Sequence, residues 1–337
     1  MRLLITGGYG FIGSYLIKEL IKNKNNKILN IDKITNISTA SLKGLKNNRY
    51  SFLKIDICDY TKLQRTINIF KPNIIFHLAA ESHVDTSITN PRKFIETNVM
   101  GTFNLLKIKK NLYQKNNFNN FKFIHISTDE VYGALKRNET SFTEQSNFKP
   151  NSPYSASKAS SDLLVRSWIK TYNYPAIITN CSNNFGPWQH PEKLIPHIIS
   201  CAILKKKIPI YGNGQNERDW LHVSDHVNAL IHISKFGKIG EKYNIGLNKS
   251  VKNIKLVKQI CKILDKKIPE NFKYETLIHY VKDRKGHDFK YAVNSSKLKK
   301  LKKFKYLKNL NVALIETIQW NLDNKSWLIK SFNKKFK

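Results

Sequence analysis

Acidic side chains are scarce in this chain: 24 Asp and Glu stand against 58 Lys and Arg, a formal net charge of +34 over 337 residues. Cysteine is scarce too. Cys58, Cys181, Cys201 and Cys261 are widely scattered, with no CxxC pair and no His at metal-ligand spacing, which argues against a disulfide framework or a zinc site and reads as thiols in a reducing compartment. No stretch approaches 18 uninterrupted apolar residues, so no membrane span is expected. The short apolar run at the N-terminus is followed by glycines where a signal-peptide cleavage site would lie, so it reads as a buried strand and a cytoplasmic location is expected. There is no internal repeat and no linker rich in Pro, Gly or Ser. With 41% hydrophobic residues, 14 Gly and 10 Pro, the composition is that of an ordinary globular protein.

An excess of positive charge can signal a nucleic-acid binder. Here the excess is mostly Lys, spread among many Asn and Ile from Lys18 to Lys337, a bias that A/T-rich codons explain. The densest runs, Lys205-Lys206-Lys207 and Lys297 to Lys308, read as solvated faces, without the interleaved aromatics of a nucleic-acid platform. Neither a nucleic-acid nor a membrane partner is expected. A basic surface still favours the approach of anionic small molecules.

Over the first 130 residues, short apolar runs alternate with helical periodicity. Strands are expected at Leu3–Thr6, Ile28–Ile31, Tyr50–Ile55, Ile74–Leu78 and Phe121–Ser127, and helices at Ile12–Ile21, Lys62–Phe70 and Phe94–Asn111. A long helix at Pro153–Tyr172 and a strand at Ala176–Thr179 continue the pattern. The fold class is α/β, a doubly wound parallel sheet of Rossmann type with a smaller C-terminal substrate-binding domain. The expected boundaries are 1–186 for the dinucleotide-binding domain, with a return segment near 222–246, and 187–337 for the second domain. Regularity weakens after Gly186, where the chain should cover the C-terminal edge of the sheet, the ligand side of open α/β sheets.

The first strand runs straight into Gly7-Gly8-Tyr9-Gly10-Phe11-Ile12-Gly13. A glycine loop between strand and helix lets backbone N–H groups approach a pyrophosphate at the positive end of the helix. The spacing is GxxGxxG, through Gly7, Gly10 and Gly13, rather than GxGxxG. The second strand ends at Asp32, about twenty residues on, where a carboxylate accepts from ribose hydroxyls and repels a 2′-phosphate. NAD is therefore favoured over NADP, although Lys33 follows directly.

Tyr154 and Lys158, at i and i+4 near the start of the long helix, share one face. A nearby ammonium would favour the phenolate, letting Tyr154 take a proton from a sugar hydroxyl as hydride leaves the carbon beneath. With Thr128 at the end of the fifth strand they resemble the Thr/Tyr/Lys triad of extended short-chain dehydrogenases. Directly after Thr128 come Asp129 and Glu130. Two carboxylates beside a hydride-transfer site exceed what hydride transfer needs, but suit elimination of water, one as base at carbon and one as acid toward the departing hydroxyl.

Beyond these motifs, Leu78–Asp85, Ser127–Gly133, Ser152–Lys158, Thr179–Asn184, Glu192–Pro196, Arg218–Leu221 and Asp283–His287 resemble the dTDP-glucose 4,6-dehydratase family over nearly the whole chain. The resemblance implies an NAD-dependent hydro-lyase acting on a nucleotide sugar as a homodimer, paired through the helices near Phe94–Asn111 and Pro153–Tyr172, in deoxysugar biosynthesis such as the dTDP-rhamnose route. It implies Tyr154, assisted by Thr128 and Lys158, as base at the C4 hydroxyl, Glu130 as base at C5 and Asp129 as acid toward the C6 hydroxyl. Cofactor contacts carried over are Phe11, Ile12, Asp32, Lys33, Thr35, Asp56, Ile57, Leu78, Ala79, Ala80, Ser82, Thr97, Tyr154, Lys158 and Asn184, beside the loop glycines. Substrate contacts carried over are Ser82, Thr128, Asn183, Lys193, Leu194, Pro209, Tyr211, Arg218, Asn253, Arg284 and His287. No metal is implied. Two departures stand out: Lys285 where the family usually has Pro, and Tyr9 where it has a small residue. A nucleotide-sugar 4-epimerase, a dehydratase for a UDP- or CDP-sugar, and a non-catalytic NAD- or nucleic-acid-binding module are the competing readings. The epimerases of the superfamily typically carry small residues where Asp129 and Glu130 stand.

Overall fold

The computed structural model describes residues 1–35, 41–113, 120–283 and 286–336. Twelve strands are present among them: β1 Arg2–Thr6, β2 Lys27–Asp32, β3 Tyr50–Lys54, β4 Ile74–His77, β5 Lys122–Thr128, β6 Ala176–Cys181, β7 Asn183–Phe185, β8 Ile208–Tyr211, β9 Glu217–His222, β10 Lys242–Ile245, β11 Ser250–Lys252 and β12 Ile278–Val281. Seven of these form one sheet in the order β10-β6-β5-β4-β1-β2-β3, every neighbouring pair parallel. The remainder form a three-stranded sheet, β11-β9-β7, and a β12-β8 pair.

The strands of the large sheet are apolar on successive residues because both faces are covered. Leu3 and Ile5 enter the core that holds Leu16, Ile17 and Leu230. Leu4, pointing the other way, joins Leu63, Leu105 and Val165 on the opposite face. Chain order reverses between β1 and β4, so their loops diverge and leave a crevice at the carboxyl ends of the strands, where open α/β sheets bind ligands.

Two expected elements differ in detail. The single helix expected over Phe94–Asn111 is a short helix at Pro91–Phe94, a π-helical turn at Ile95–Met100 and a helix at Gly101–Tyr113. The wide turn buries Thr97 and Asn98, and π-turns of this kind gather at functional sites. The region after Gly186 is also more regular than expected, with helices at Leu194–Ile203, Asn253–Lys267, Leu310–Asp323 and Lys325–Phe336. Along Asn253–Lys267 the residues Ile254, Val257, Ile260, Cys261 and Leu264 are buried at helical spacing, a signal masked in sequence by the lysines of the wet face. The last four of these make a separate core with Phe185, Ile198 and Trp220. Lys205, Lys206 and Lys207 are exposed. Among the described residues, no helix is long and apolar enough to cross a membrane.

Candidate active site

The crevice at the β1/β4 reversal opens into a cavity of about 380 Å³. Its first wall is the glycine loop. Gly7 has φ +75°, and a Cβ there would sit 2.7 Å from the Ala79 backbone nitrogen; at Gly13 it would sit 2.4 Å from the Gly7 carbonyl oxygen. Only glycine permits that conformation and that approach. The helix Phe11–Leu20 begins with Gly10 and has no side-chain cap, so its first N–H groups are left for a ligand, in the manner of a pyrophosphate site. At the end of β2, Asp32 accepts from the Tyr9 amide at 2.9 Å and the Ile34 amide at 2.7 Å. Burial raises its carboxyl pKa, with both amides and Lys33 working against the rise. Tyr9, the unusual loop residue, turns edge-on against Phe52 at 4.7 Å and does not line the cavity.

Lys33, adjacent to Asp32, is committed elsewhere. Its ammonium lies 2.9 Å from Glu81 Oε1 and 3.8 Å from Asp56 Oδ2. Glu81 is itself held by the buried Asn98 of the π-turn, which donates to its carbonyl at 3.0 Å and accepts from its amide at 2.8 Å. This rim therefore carries carboxylates around Lys33, which would otherwise welcome a 2′-phosphate, and it suits NAD better than NADP. The donor set, the glycine cradle and the rim together fit an NAD molecule.

The other wall comes from β5, β6 and the helix Pro153–Tyr172. That helix starts with a capping box in which Ser152 and Ser155 serve each other's backbone, fixing Tyr154 in the first turn. Lys158 follows one turn later, fully buried, and its Nζ donates to the Ile126 carbonyl at 2.8 Å. Thr128, at the end of β5, stands beside the Tyr154 phenol and favours its ionised form, and its hydroxyl donates to Asp129 Oδ1 at 3.3 Å. Tyr154 departs from the sequence expectation. Burial, then the charge of Glu130 and the neighbouring Cys181, hold its phenol well above the ordinary range, with Thr128 working the other way. The low dielectric around a buried phenol outweighs an ammonium that is already engaged by a carbonyl.

Asp129 is 1% exposed. Burial, reinforced by Glu130 and Asp219, pushes its carboxyl pKa well above the usual range, while Arg218 and Thr128 pull it back. Its second oxygen, Oδ2, is buried without a partner. A neutral carboxylic acid with a spare O–H is what a general acid requires.

Every residue expected to hold the cofactor lines this one cavity: Gly7, Gly10, Phe11, Ile12, Gly13, Asp32, Lys33, Thr35, Asp56, Ile57, Leu78, Ala79, Ala80, Ser82, Thr97, Tyr154, Lys158 and Asn184. So do Thr128, Asp129 and Glu130, and the substrate candidates Asn183, Lys193 and Leu194. Lys193 also donates to the Ser82 carbonyl at 3.0 Å, closing the mouth. Pro209, Tyr211, Arg218, Asn253 and His287 are not among the cavity's lining. Arg218, carried over as a substrate contact, spends its guanidinium on the carbonyls of Glu217 at 2.8 Å and Asp288 at 2.9 Å and lies 4.3 Å over the Tyr291 ring. Its charge still acts on Asp129. Tyr211 and His287 meet edge-to-face at 6.2 Å, away from the acids. Arg284 and Lys285 lie outside the described residues. Sequence reasoning assigned no role to Glu81, Gln189, His190 or Glu192, which also line the cavity. Glu192 is a carboxylate with 2% of its side chain exposed; an acid inside a Lys-rich chain, next to Lys193, was the available signal. Among the described residues, no group of three His, Cys, Asp or Glu side chains is placed to hold a metal.

Residues 4–312 match the family model described as GDP-mannose 4,6 dehydratase. Similarity to single proteins is closer to a different nucleotide. The chain is 48% identical to a dTDP-glucose 4,6-dehydratase of Escherichia coli, over 97% of this chain and 95% of that protein, and 46% identical to that of Neisseria meningitidis, over 97% and 94%. The chain belongs to the dTDP-glucose 4,6-dehydratase family. A crystal structure of the Bacillus anthracis dTDP-glucose 4,6-dehydratase in complex with NAD superposes with a TM-score of 0.86 at 38% identity, covering 97% of this chain and 98% of that one.

Proposed function

We propose that this protein is an NAD-dependent hydro-lyase converting dTDP-glucose to dTDP-4-keto-6-deoxyglucose. The observation that carries the reading is the placement of Asp129 and Glu130 beside Thr128, Tyr154 and Lys158 in one cavity whose other end is built for a dinucleotide. NAD held by the glycine loop and Asp32 would supply the hydride acceptor and, later, the hydride donor. Tyr154 takes the proton of the sugar C4 hydroxyl, with Thr128 holding that hydroxyl and Lys158 supplying charge below. The resulting ketone acidifies the C5 proton, which Glu130 removes. Asp129, kept protonated by its burial, gives its proton to the C6 hydroxyl as water departs. As the sugar is reduced at C6, Glu130 returns its proton to C5, and the proton that Tyr154 took from the C4 hydroxyl restores Asp129, so no external oxidant or acid is consumed.

The thymine-bearing nucleotide rests on the named relatives. We place the nucleotide-sugar half in 187–337 and the cofactor half in 1–186, with 222–246 returning to it; the pairing of β10 with β6 supports the return. Ile88, Ile95, Met100 and Leu163, each at least 40% exposed, sit on mutually packed helical segments and suit a homodimer face. Leu163→Glu should then halve the mass read by light scattering. The location is cytoplasmic in this reading, consistent with four unpaired, mostly buried thiols.

The decisive assay incubates purified protein with dTDP-glucose and no added reductant and follows the product by mass. Loss of one water without net cofactor reduction is expected, and parallel UDP- and CDP-glucose reactions read the base preference. No water loss with any of the three overturns the dehydratase reading and leaves epimerisation as the better one.

A further inference from the structure

Behind the catalytic wall lies a buried polar chain that the mechanism above does not use. Asp162 stands one helical turn beyond Lys158, on the same face, and is 1% exposed. Its Oδ1 is 3.0 Å from His125 Nε2, and its Oδ2 accepts from Asn180 Nδ2 at 2.9 Å. The same Asn180 nitrogen donates to the carbonyl of Thr128 at 3.1 Å. Asn180 is fully buried near the carboxyl end of β6, opposite Ser127 of β5. A buried carboxylate is destabilised unless charge compensates it, and its two hydrogen-bonding partners supply little: Asn180 is an uncharged amide, and burial and Lys158 lower the pKa of His125 against the pull of Asp162.

We propose that Asp162 is a positioning residue for the oxidation step: its carboxylate compensates the buried Lys158 ammonium through space and, by way of Asn180, fixes the backbone of Thr128. The groups that face Lys158 support this assignment. From its own helix these are Tyr154 and Asp162; from β4, His77; from β5, His125; from β6, Cys181. The two histidines are held neutral by burial, and burial holds the Cys181 thiol up near 12. Asp162 is therefore the carboxylate that favours the charged form of Lys158, against a burial that works to discharge it. Lys242, on β10, also feels Asp162 but lies against the rings of Tyr132 and Phe148. The arrangement explains why a helix otherwise exposed on one side carries an acid with no cation bonded to it.

This inference rests on the proposed function, and the test separates the two. Wild-type holoenzyme is mixed with dTDP-glucose over a pH series, and formation of the reduced cofactor is followed in a single turnover, with cofactor content and melting temperature recorded for each protein. A wild type that never reduces its cofactor refutes the functional reading. Given an active wild type, Asp162→Asn keeps the shape and loses the charge. Its alkaline limb, where Lys158 loses its proton, should move to lower pH by about one unit, with bound cofactor retained. Asn180→Ser releases the Thr128 carbonyl while sparing the charge. It should slow the step by about tenfold with the limb in place. A limb that stays put in D162N, or that moves equally in both variants, overturns the inference. If D162N yields no folded holoenzyme, Asp162→Ser with added formate gives the same reading. Formate in the vacated space should carry the limb back toward its wild-type position, and indifference to formate overturns the inference.

Discussion

Replacing Asp129 with Asn tests the assignment of the general acid at nearly constant shape. Asp129 is 1% exposed and protonated by burial, Glu130 and Asp219, and its Oδ2 has no partner inside the protein. The substitution removes one transferable proton and little packing. General acid catalysis contributes about 10²- to 10⁴-fold, so water loss should slow by that factor, roughly 3–5 kcal/mol of barrier. Oxidation at C4 uses Thr128, Tyr154 and Lys158 and should survive, so reduced cofactor accumulates on the enzyme and its near-ultraviolet absorbance reports the block. Glu130→Gln should block the same overall reaction one step earlier. The two are told apart in deuterated water. D129N should still exchange the C5 proton of the bound ketone, because Glu130 is intact, whereas E130Q should show no exchange. The reverse pattern, or a D129N enzyme that releases product at the wild-type rate, would refute the division of labour between the two acids.

Three further outcomes are expected. Gly7→Ala puts a methyl 2.7 Å from the Ala79 nitrogen at a residue with φ +75°, so the purified protein should lose bound NAD, read by cofactor fluorescence, and regain little at high added NAD. Asp219 is fully buried and its pKa is raised to about 7 by burial. The folded protein therefore keeps a proton there that the unfolded chain has released, stability falls as pH rises from about 4 to about 7, and Asp219→Asn should flatten urea midpoints across that window. Lys109 is fully buried, with its pKa lowered by burial to about 6, its ammonium 3.0 Å from the Pro72 carbonyl and 4.0 Å above the Phe121 ring. Here the unfolded chain holds the extra proton, so stability should climb between pH 6 and 10, and Lys109→Met should abolish the climb.

What the sequence disclosed and what it withheld divide along a physical line. The glycine loop and Asp32 belong to one β-α-β unit, and Tyr154 and Lys158 to one turn of one helix. Their geometry is fixed by strand twist and helical pitch, so spacing alone places them, and the cofactor residues duly gather in one cavity. Electrostatic state is different, because it depends on what the rest of the chain brings alongside. The pattern YxxxK suggested a phenol eased toward ionisation; burial and Glu130, from the end of β5, push it the other way. Lys33 beside Asp32 looked ambiguous until Glu81, nearly fifty positions later, was found to bind it at 2.9 Å. Arg218 was carried over as a substrate contact, and its donors go to the chain around Asp288, seventy residues away. Each of these corrections comes from a long-range contact that gives no periodic signal. Asp129 is the instructive exception: two adjacent acids are visible in any reading, but what makes one of them an acid in the chemical sense is the burial and the third carboxylate, Asp219, that only the folded β9 supplies. The residue types and their spacing name the reaction; the tertiary field decides which carboxyl carries the proton.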